Sequence, residues 1–237
     1  MAVLKMMLLV SAFLVIHAEN DRKVHIHKQT ETNSDPKSVG SDRLLRRKRD
    51  YYGHCTSVST IFTVDGGGNT VYLDRQSPNC GLTAMRSFHL VRNGAGNQVR
   101  YDLSCCSLPR DLRCTTASRH TNFNLDGKGN VIYLDRHQVA CPYNGFLKQF
   151  HLNRNGFLDM YRYTYSCCTP NGSERANMRC TFHSTPSNSD GGGNFRYLDR
   201  HQVTCHLGYF LNSFRLVRRG RGTISYNYRC CAYIRNK

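Results

Sequence analysis

Apolar and polar residues alternate with period two in short stretches of this chain. The clearest are "SFHLVR" (87–92) and "YRYTYS" (161–166), both rich in aromatic residues. That period and composition predict strands half-buried against a core. Asn-Gly and Arg-Gly dipeptides fall between such stretches and mark hairpin turns. No run of ten or more residues carries helical periodicity, so the pattern predicts an all-β fold.

The pattern recurs three times. "DGGGNTVYLDRQ" (65–76), "DGKGNVIYLDRH" (126–137) and "DGGGNFRYLDRH" (190–201) each lead into an alternating pair of segments. The first segments are "LTAMRSFHLVRNG", "FLKQFHLNRNG" and "FLNSFRLVRRG"; the units close on "VRYDLSCC", "YRYTYSCC" and "ISYNYRCC". The repeats span 50–107, 112–169 and 178–232, with about four short strands each. The links "SLPRDLR" (107–113) and "TPNGSERANMR" (169–179) are too short for independent domains. Units of this size cannot each enclose a core and pack around a common axis instead. Three all-β copies therefore predict a pseudo-threefold closed architecture, a β-prism or a β-trefoil.

Cysteine follows the same period. The twelve are Cys55, Cys80, Cys105 and Cys106; Cys114, Cys141, Cys167 and Cys168; Cys180, Cys205, Cys230 and Cys231. An even count at regular spacing predicts a disulfide framework, and no C-x-x-C suggests zinc. Neighbouring Cys in a pair are too close to bridge each other. On a strand their side chains point to opposite faces, so one reaches the first Cys of its repeat and the other the second. Two pairings per repeat remain open. Each bridge contributes roughly 3–4 kcal/mol in the chain-entropy model.

The N-terminal region differs. Residues 1–18 carry Lys5, an apolar run from Met6 to Ile16, and Ala18 before polar residues. This predicts a secretory signal peptide, its apolar core too short to span a bilayer. Residues 19–49 hold no Cys, Phe or Tyr and predict a disordered propeptide. It ends in Arg46, Arg47, Lys48 and Arg49, a furin-type processing site or, more plainly, a solvated basic tail. The mature domain is then 50–237, a secreted protein with no transmembrane segment.

Charge narrows the partners. The chain has 33 Lys and Arg against 16 Asp and Glu. Residues 1–49 hold ten of the former and five of the latter, leaving 23 against 11, or +12, for 50–237. Only Lys128, Lys148 and Lys237 of those cations are Lys. Arg pairs bidentately with sulfate, phosphate and carboxylate. Outside the cell this points to acidic or sulfated polysaccharide, matrix or an anionic cell surface; nucleic acid fits the charge but not the compartment. Arg215, Arg218, Arg219 and Arg221, in "RLVRRGRG", form the candidate polyanion patch, with a solvated turn as the plainer reading. Asn171 heads the one glycosylation sequon, Asn171-Gly172-Ser173.

The repeated motif reads first as structure. Gly supplies positive φ, and Asp65, Asp126 and Asp190 can accept from turn amides. Read as a strand, Tyr72, Tyr133 and Tyr197 share a face with Asp74, Asp135 and Asp199, while Arg75, Arg136 and Arg200 take the other. The three Asp-Arg pairs are expected to form a charge-paired ring near the axis. With Asn69, Asn130 and Asn194, the same residues could instead hold sugar hydroxyls in three equivalent sites. Acidic oxygens are too few for calcium, and no metal or other cofactor is expected. Residue 76 is Gln where 137 and 201 are His, so no role requiring His is common to all repeats. No nucleophile–base constellation stands out, so the chain does not read as an enzyme.

"CPYNGFLKQFHLNRNGFLDMYRYTYSC" (141–167) resembles the repeat of vitelline membrane outer layer proteins: a Cys-Pro before a Phe-x-Leu strand, closing on an aromatic strand that ends in Cys. The likeness covers about half of each repeat. It implies a secreted three-repeat β-prism and favours the prism over the trefoil. The chain has no Trp, only repeat two keeps Cys-Pro, and the Cys-Cys ends differ, so no functional residue is carried over. The leading expectation is a structural or coat component that binds acidic glycans. The alternative is a toxin or host-defence protein activated by propeptide cleavage, and the third is a lectin with three equivalent sites.

Overall fold

The structure, a computed structural model, describes residues 54–234. The expected signal peptide, the propeptide and its basic site at 46–49 lie outside the described residues. Repeat one contains β1 (Cys55–Ser59), β2 (Thr63–Val64), β3 (Ala84–Arg92) and β4 (Gln98–Cys106). Repeat two contains β5 (Cys114–His120), β6 (Asn124–Leu125), β7 (Val139–Ala140), β8 (Phe146–Asn155) and β9 (Met160–Pro170). Repeat three contains β10 (Met178–Ser184), β11 (Asn188–Ser189), β12 (Val203–Thr204), β13 (Phe210–Arg218) and β14 (Thr223–Tyr233). All named pairings are antiparallel, as short turns between strands require. The fold is all-β, in three sheets. Each is centred on the last long strand of its repeat, which pairs with the first strand on one side and its hairpin partner on the other.

One expectation fails. The Tyr-Leu-Asp-Arg segments are not strands but 3-10 helices, Thr70–Arg75, Val131–Arg136 and Phe195–Arg200. The Asn before each is an N-cap: its Oδ1 accepts from the amide two residues on, at 3.1, 3.0 and 3.0 Å. Period two therefore does not hold there. Residues i and i+3 share a face in a 3-10 helix, so Tyr72 lies with Arg75 rather than with Asp74.

Hydrogen bonds between repeats run in a cycle. Asn79 of repeat one bridges Gln149 of repeat two, β7 pairs with β13 (Ala140↔Ser213), and β12 returns to β3 (Thr204↔Ser87). A β-bulge prepares each junction. The pairing slips between Met85 and Ser87, Leu147 and Gln149, and Leu211 and Ser213. The carbonyls of the extra residues Arg86, Lys148 and Asn212 accept the amides of Cys205, Cys80 and Cys141 at 3.0, 2.9 and 3.0 Å.

The core sits between the sheets. Phe88, Phe150 and Phe214, one per repeat, form a triangle with ring centroids 5.1, 4.9 and 5.0 Å apart. Tyr101, Tyr163 and Tyr226 pack edge-on around it. These arrangements satisfy the ring quadrupoles. Burial pushes the hydroxyls of all three tyrosines well above the ordinary phenol pKa. A second cluster, with Phe146, Phe210, Leu112 and Met178, is separate from this core.

The open disulfide choice resolves the same way three times. The pairs are Cys55–Cys106 and Cys80–Cys105, Cys114–Cys168 and Cys141–Cys167, Cys180–Cys231 and Cys205–Cys230. Opposite strand faces explain it. Cys105, Cys167 and Cys230 point into the main core with the second Cys of each repeat, while Cys106, Cys168 and Cys231 join the second cluster with the first.

Candidate functional site

The three Asp-Gly-x-Gly-Asn turns are built alike. Asp65, Asp126 and Asp190 each accept through Oδ1 from the amide two residues on, at 3.0, 2.8 and 2.9 Å. This folds the chain into a left-handed turn. The first Gly lies flat under the ring of its own repeat's Tyr; a Cβ at Gly66, Gly127 or Gly191 would overlap it. The third Gly has φ of +92°, +81° or +95° and meets the Asn of another repeat: Gly68 under Asn194, Gly129 under Asn69, Gly193 under Asn130. Close approach, not only turn chemistry, requires Gly there. The middle position faces open space at Gly67 and Gly192. That is why repeat two tolerates an exposed Lys128, even at φ +57°.

The Gly-Asn turns of the three motifs thus meet at one shared surface feature. Segments 66–69, 127–130 and 191–194 line a shared, open depression of about 460 Å³. The Oδ1 atoms of the Asn that line it are committed to the caps, and the Oδ1 atoms of the adjoining Asp to the turns. Asp65, only 2 % exposed, is also held by a bidentate pair with Arg196. That guanidinium holds the Asp65 carboxyl below the ordinary carboxylate pKa. Repeats one and two carry Val71 and Ile132 in place of Arg196.

The expected ring of motif Asp-Arg pairs does not form. Asp135 Oδ2 pairs with Arg218 at 2.8 Å, and Asp199 Oδ2 with Arg92 at 2.6 Å, each Arg on the hairpin of another repeat. The motif arginines stack instead. Arg75, Arg136 and Arg200 lie 4.2, 4.2 and 4.1 Å from the ring centroids of Tyr72, Tyr133 and Tyr197. All three are exposed, and among the described residues none makes an ion pair. Helical i, i+3 geometry creates these pairs, which the strand reading had separated.

The patch expected at 215–221 is mostly committed within the molecule. Arg215 Nε donates to the Asp135 carbonyl at 2.8 Å, and Arg218 pairs with the same residue's carboxylate. Arg219 donates to Ser225 Oγ at 2.8 Å and to Asn227 Oδ1. Arg221 alone stands at the tip with no partner among the described residues. Asn171 is exposed beside a 3-10 turn (Gly172–Asn177), its Oδ1 accepting from Thr115 at 3.1 Å.

The residue after the motif is structural in every repeat. Gln76, His137 and His201 are 1, 1 and 0 % exposed. They meet Thr60, Thr121 and Thr185, with His137 Nδ1 and His201 Nδ1 each 2.9 Å from the Thr Oγ1. Each Thr hydroxyl also accepts a backbone amide, from Tyr101, Tyr163 and Tyr226 at 2.8, 3.0 and 2.9 Å. Burial, with the charge of Arg136, depresses the His137 pKa to about 4, and burial lowers that of His201. Sequence reasoning missed this latch, although a constant spacing of 16 residues from Thr to Gln or His marks it in all three repeats. Among the described residues no group of His, Cys, Asp and Glu is arranged to hold a metal ion, and no helix is long and apolar enough to cross a membrane. No family model matches the chain, and no curated protein matches it.

Proposed function

We propose that this is a secreted protein that binds acidic or sulfated polysaccharide, in matrix or coat, through the three Tyr-stacked arginines. The observation that carries this reading is the threefold recurrence of an exposed guanidinium held over a Tyr ring, with no carboxylate paired to it among the described residues. Stacking orders the long side chain before a ligand arrives, which lowers the entropy cost of binding. The planar fork then suits sulfate or carboxylate bidentately. Three such sites on one rigid body favour a repeating polyanion over a small anion, because each engaged group raises the effective concentration of the next.

The proposed architecture is a pseudo-threefold β-prism, in keeping with the resemblance to vitelline membrane outer layer proteins. The cyclic pairing between repeats and the Phe triangle support the threefold relation, and three sheets that do not close into a barrel among the described residues favour the prism over the trefoil. Six disulfides and no free Cys among the described residues accord with an oxidising compartment.

Heparin chromatography tests the function. The protein should elute at higher salt from heparin than from a plain sulfonate exchanger. Arg75→Gln/Arg136→Gln/Arg200→Gln should remove that difference, whereas the charge-matched Arg110→Gln/Arg113→Gln/Arg119→Gln should not. Equal shifts for both triple variants would leave only bulk charge and end the proposal.

A further inference from the structure

We propose that the end of the molecule bearing the three motif turns docks on an anionic phospholipid bilayer, with Phe157 and Leu158 inserting among the lipid headgroups. The backbone sets this placement. Asp65, Asp126 and Asp190 donate their amides to Asn97, Asp159 and Gly222 at 3.1, 2.8 and 2.9 Å, tying each motif to the hairpin tip of its own repeat. Because the motifs interlock through Asn and Gly, each tip adjoins one of the three turns that line the shared depression. Their sequences differ sharply. Tip one is Asn93-Gly94-Ala95-Gly96-Asn97, and tip three carries Gly220-Arg221-Gly222. Tip two carries Phe157 at 102 % exposure and Leu158 at 57 %, beside Leu125 at 53 %.

Nothing in the turn demands those residues, since the other two hairpins close without them. Neither belongs to a core cluster. An apolar pair on a convex tip offers no concavity for a folded partner, and a hydrated glycan gains nothing from it. A bilayer interface accepts it, and the aromatic ring suits the headgroup level. The charge is complementary. Lys128 is exposed on the motif tied to this tip, and Arg221 is exposed and unpartnered among the described residues on tip three. On the acidic side, Asp159 is exposed and Asp190 half-buried, while Asp65 and Asp126 are buried and Asp65 is paired with Arg196. Arg154 and Arg219, exposed at the strand ends of tips two and three, make no ion pair among the described residues and keep the balance positive. This inference does not rest on the stacked arginines.

Co-sedimentation with vesicles tests it, using the disulfide-bonded protein. One set is phosphatidylcholine alone; in the other roughly one lipid in three is phosphatidylglycerol, a charge density at which each nearby cation strengthens binding several-fold. Binding is expected to the anionic set only. Phe157→Ser/Leu158→Ser should lower the partition coefficient at least about tenfold, with an unchanged thermal midpoint because both side chains are exposed. Lys128→Ser/Arg221→Ser should lower it by about the same factor. Arg75→Gln/Arg136→Gln/Arg200→Gln should still bind vesicles, which separates this site from the glycan reading. No binding to anionic vesicles, or equal binding by Phe157→Ser/Leu158→Ser, overturns the proposal. So does a dimer in sedimentation velocity that the same variant dissolves, or heparin retention that it abolishes; these would assign the tip to self-association or to glycan.

Discussion

The buried histidines make stability depend on pH in a definite window. His137 is 1 % exposed, and burial holds its pKa at about 4 in the fold against an ordinary 6.5. Above the ordinary value both folded and unfolded chains keep the ring neutral, and the latch to Thr121 contributes fully. As pH falls through 6.5 the unfolded chain takes up a proton that the folded chain refuses, and stability drops until the folded pKa is reached. From about pH 7.5 to about pH 4.5 this one group removes roughly 2–3 kcal/mol, with a slope approaching 1.4 kcal/mol per pH unit. His201, depressed by burial in the same way, adds loss in the same direction. Asp65 acts lower: its pKa lies below the ordinary 3.8, so its contribution disappears only as pH falls below that range. Repeat one supplies the control residue. Gln76 fills the same niche without titrating, donating to Thr63 Oγ1 at 2.6 Å and the Val99 carbonyl at 3.0 Å. The assay is urea unfolding followed by circular dichroism, with disulfides intact, across that pH range. His137→Gln/His201→Gln should flatten the profile between pH 6.5 and 4.5 (6.5 being the ordinary histidine pKa), whatever its stability at neutral pH. An unchanged slope in the double variant would refute the reasoning.

Four further outcomes follow from the same geometry. Gly129→Ala sets a Cβ against Asn69 at φ +81° and should cost about 2–3 kcal/mol, read as a lower urea midpoint. Lys128→Gly, at φ +57° with open space at the equivalent Gly67 and Gly192, should instead raise stability by about 0.5–1 kcal/mol. Arg196→Ala leaves the Asp65 carboxylate buried without its cation and should cost about 2–3 kcal/mol; adding Asp65→Asn should recover part of that. Thiol titration checks the bridges: Cys80→Ala/Cys105→Ala should leave no free thiol, whereas Cys80→Ala/Cys106→Ala should expose Cys55 and Cys105.

Much of the local design was legible in the chain. Period-two segments ending in Cys-Cys became β4, β9 and β14, because a strand half-buried against a core writes its own alternation. Asn-Gly and Arg-Gly became hairpin tips, and the Asp of each motif became a turn acceptor, because these effects act over a few residues. The Tyr-Leu-Asp-Arg segment misled for a local reason too. Six residues are too few to separate a 3-10 turn from a strand, although the Asn cap before each was a readable sign of a helix start.

By itself, then, the sequence determined three equivalent β units, their cysteine framework and the two pairings open to it, and an Arg-rich excess of charge. Only tertiary structure decided which arginines pair with a carboxylate. Asp135 and Asp199 draw Arg218 and Arg92 from hairpins of other repeats, 83 and 107 residues away in sequence, while Arg75, Arg136 and Arg200 are left on their tyrosines. Composition counts charges but does not pair them. Pairing depends on distances set by the bulges, the interlocked Asn and Gly, and the aromatic triangle, all of them contacts between residues far apart in the chain.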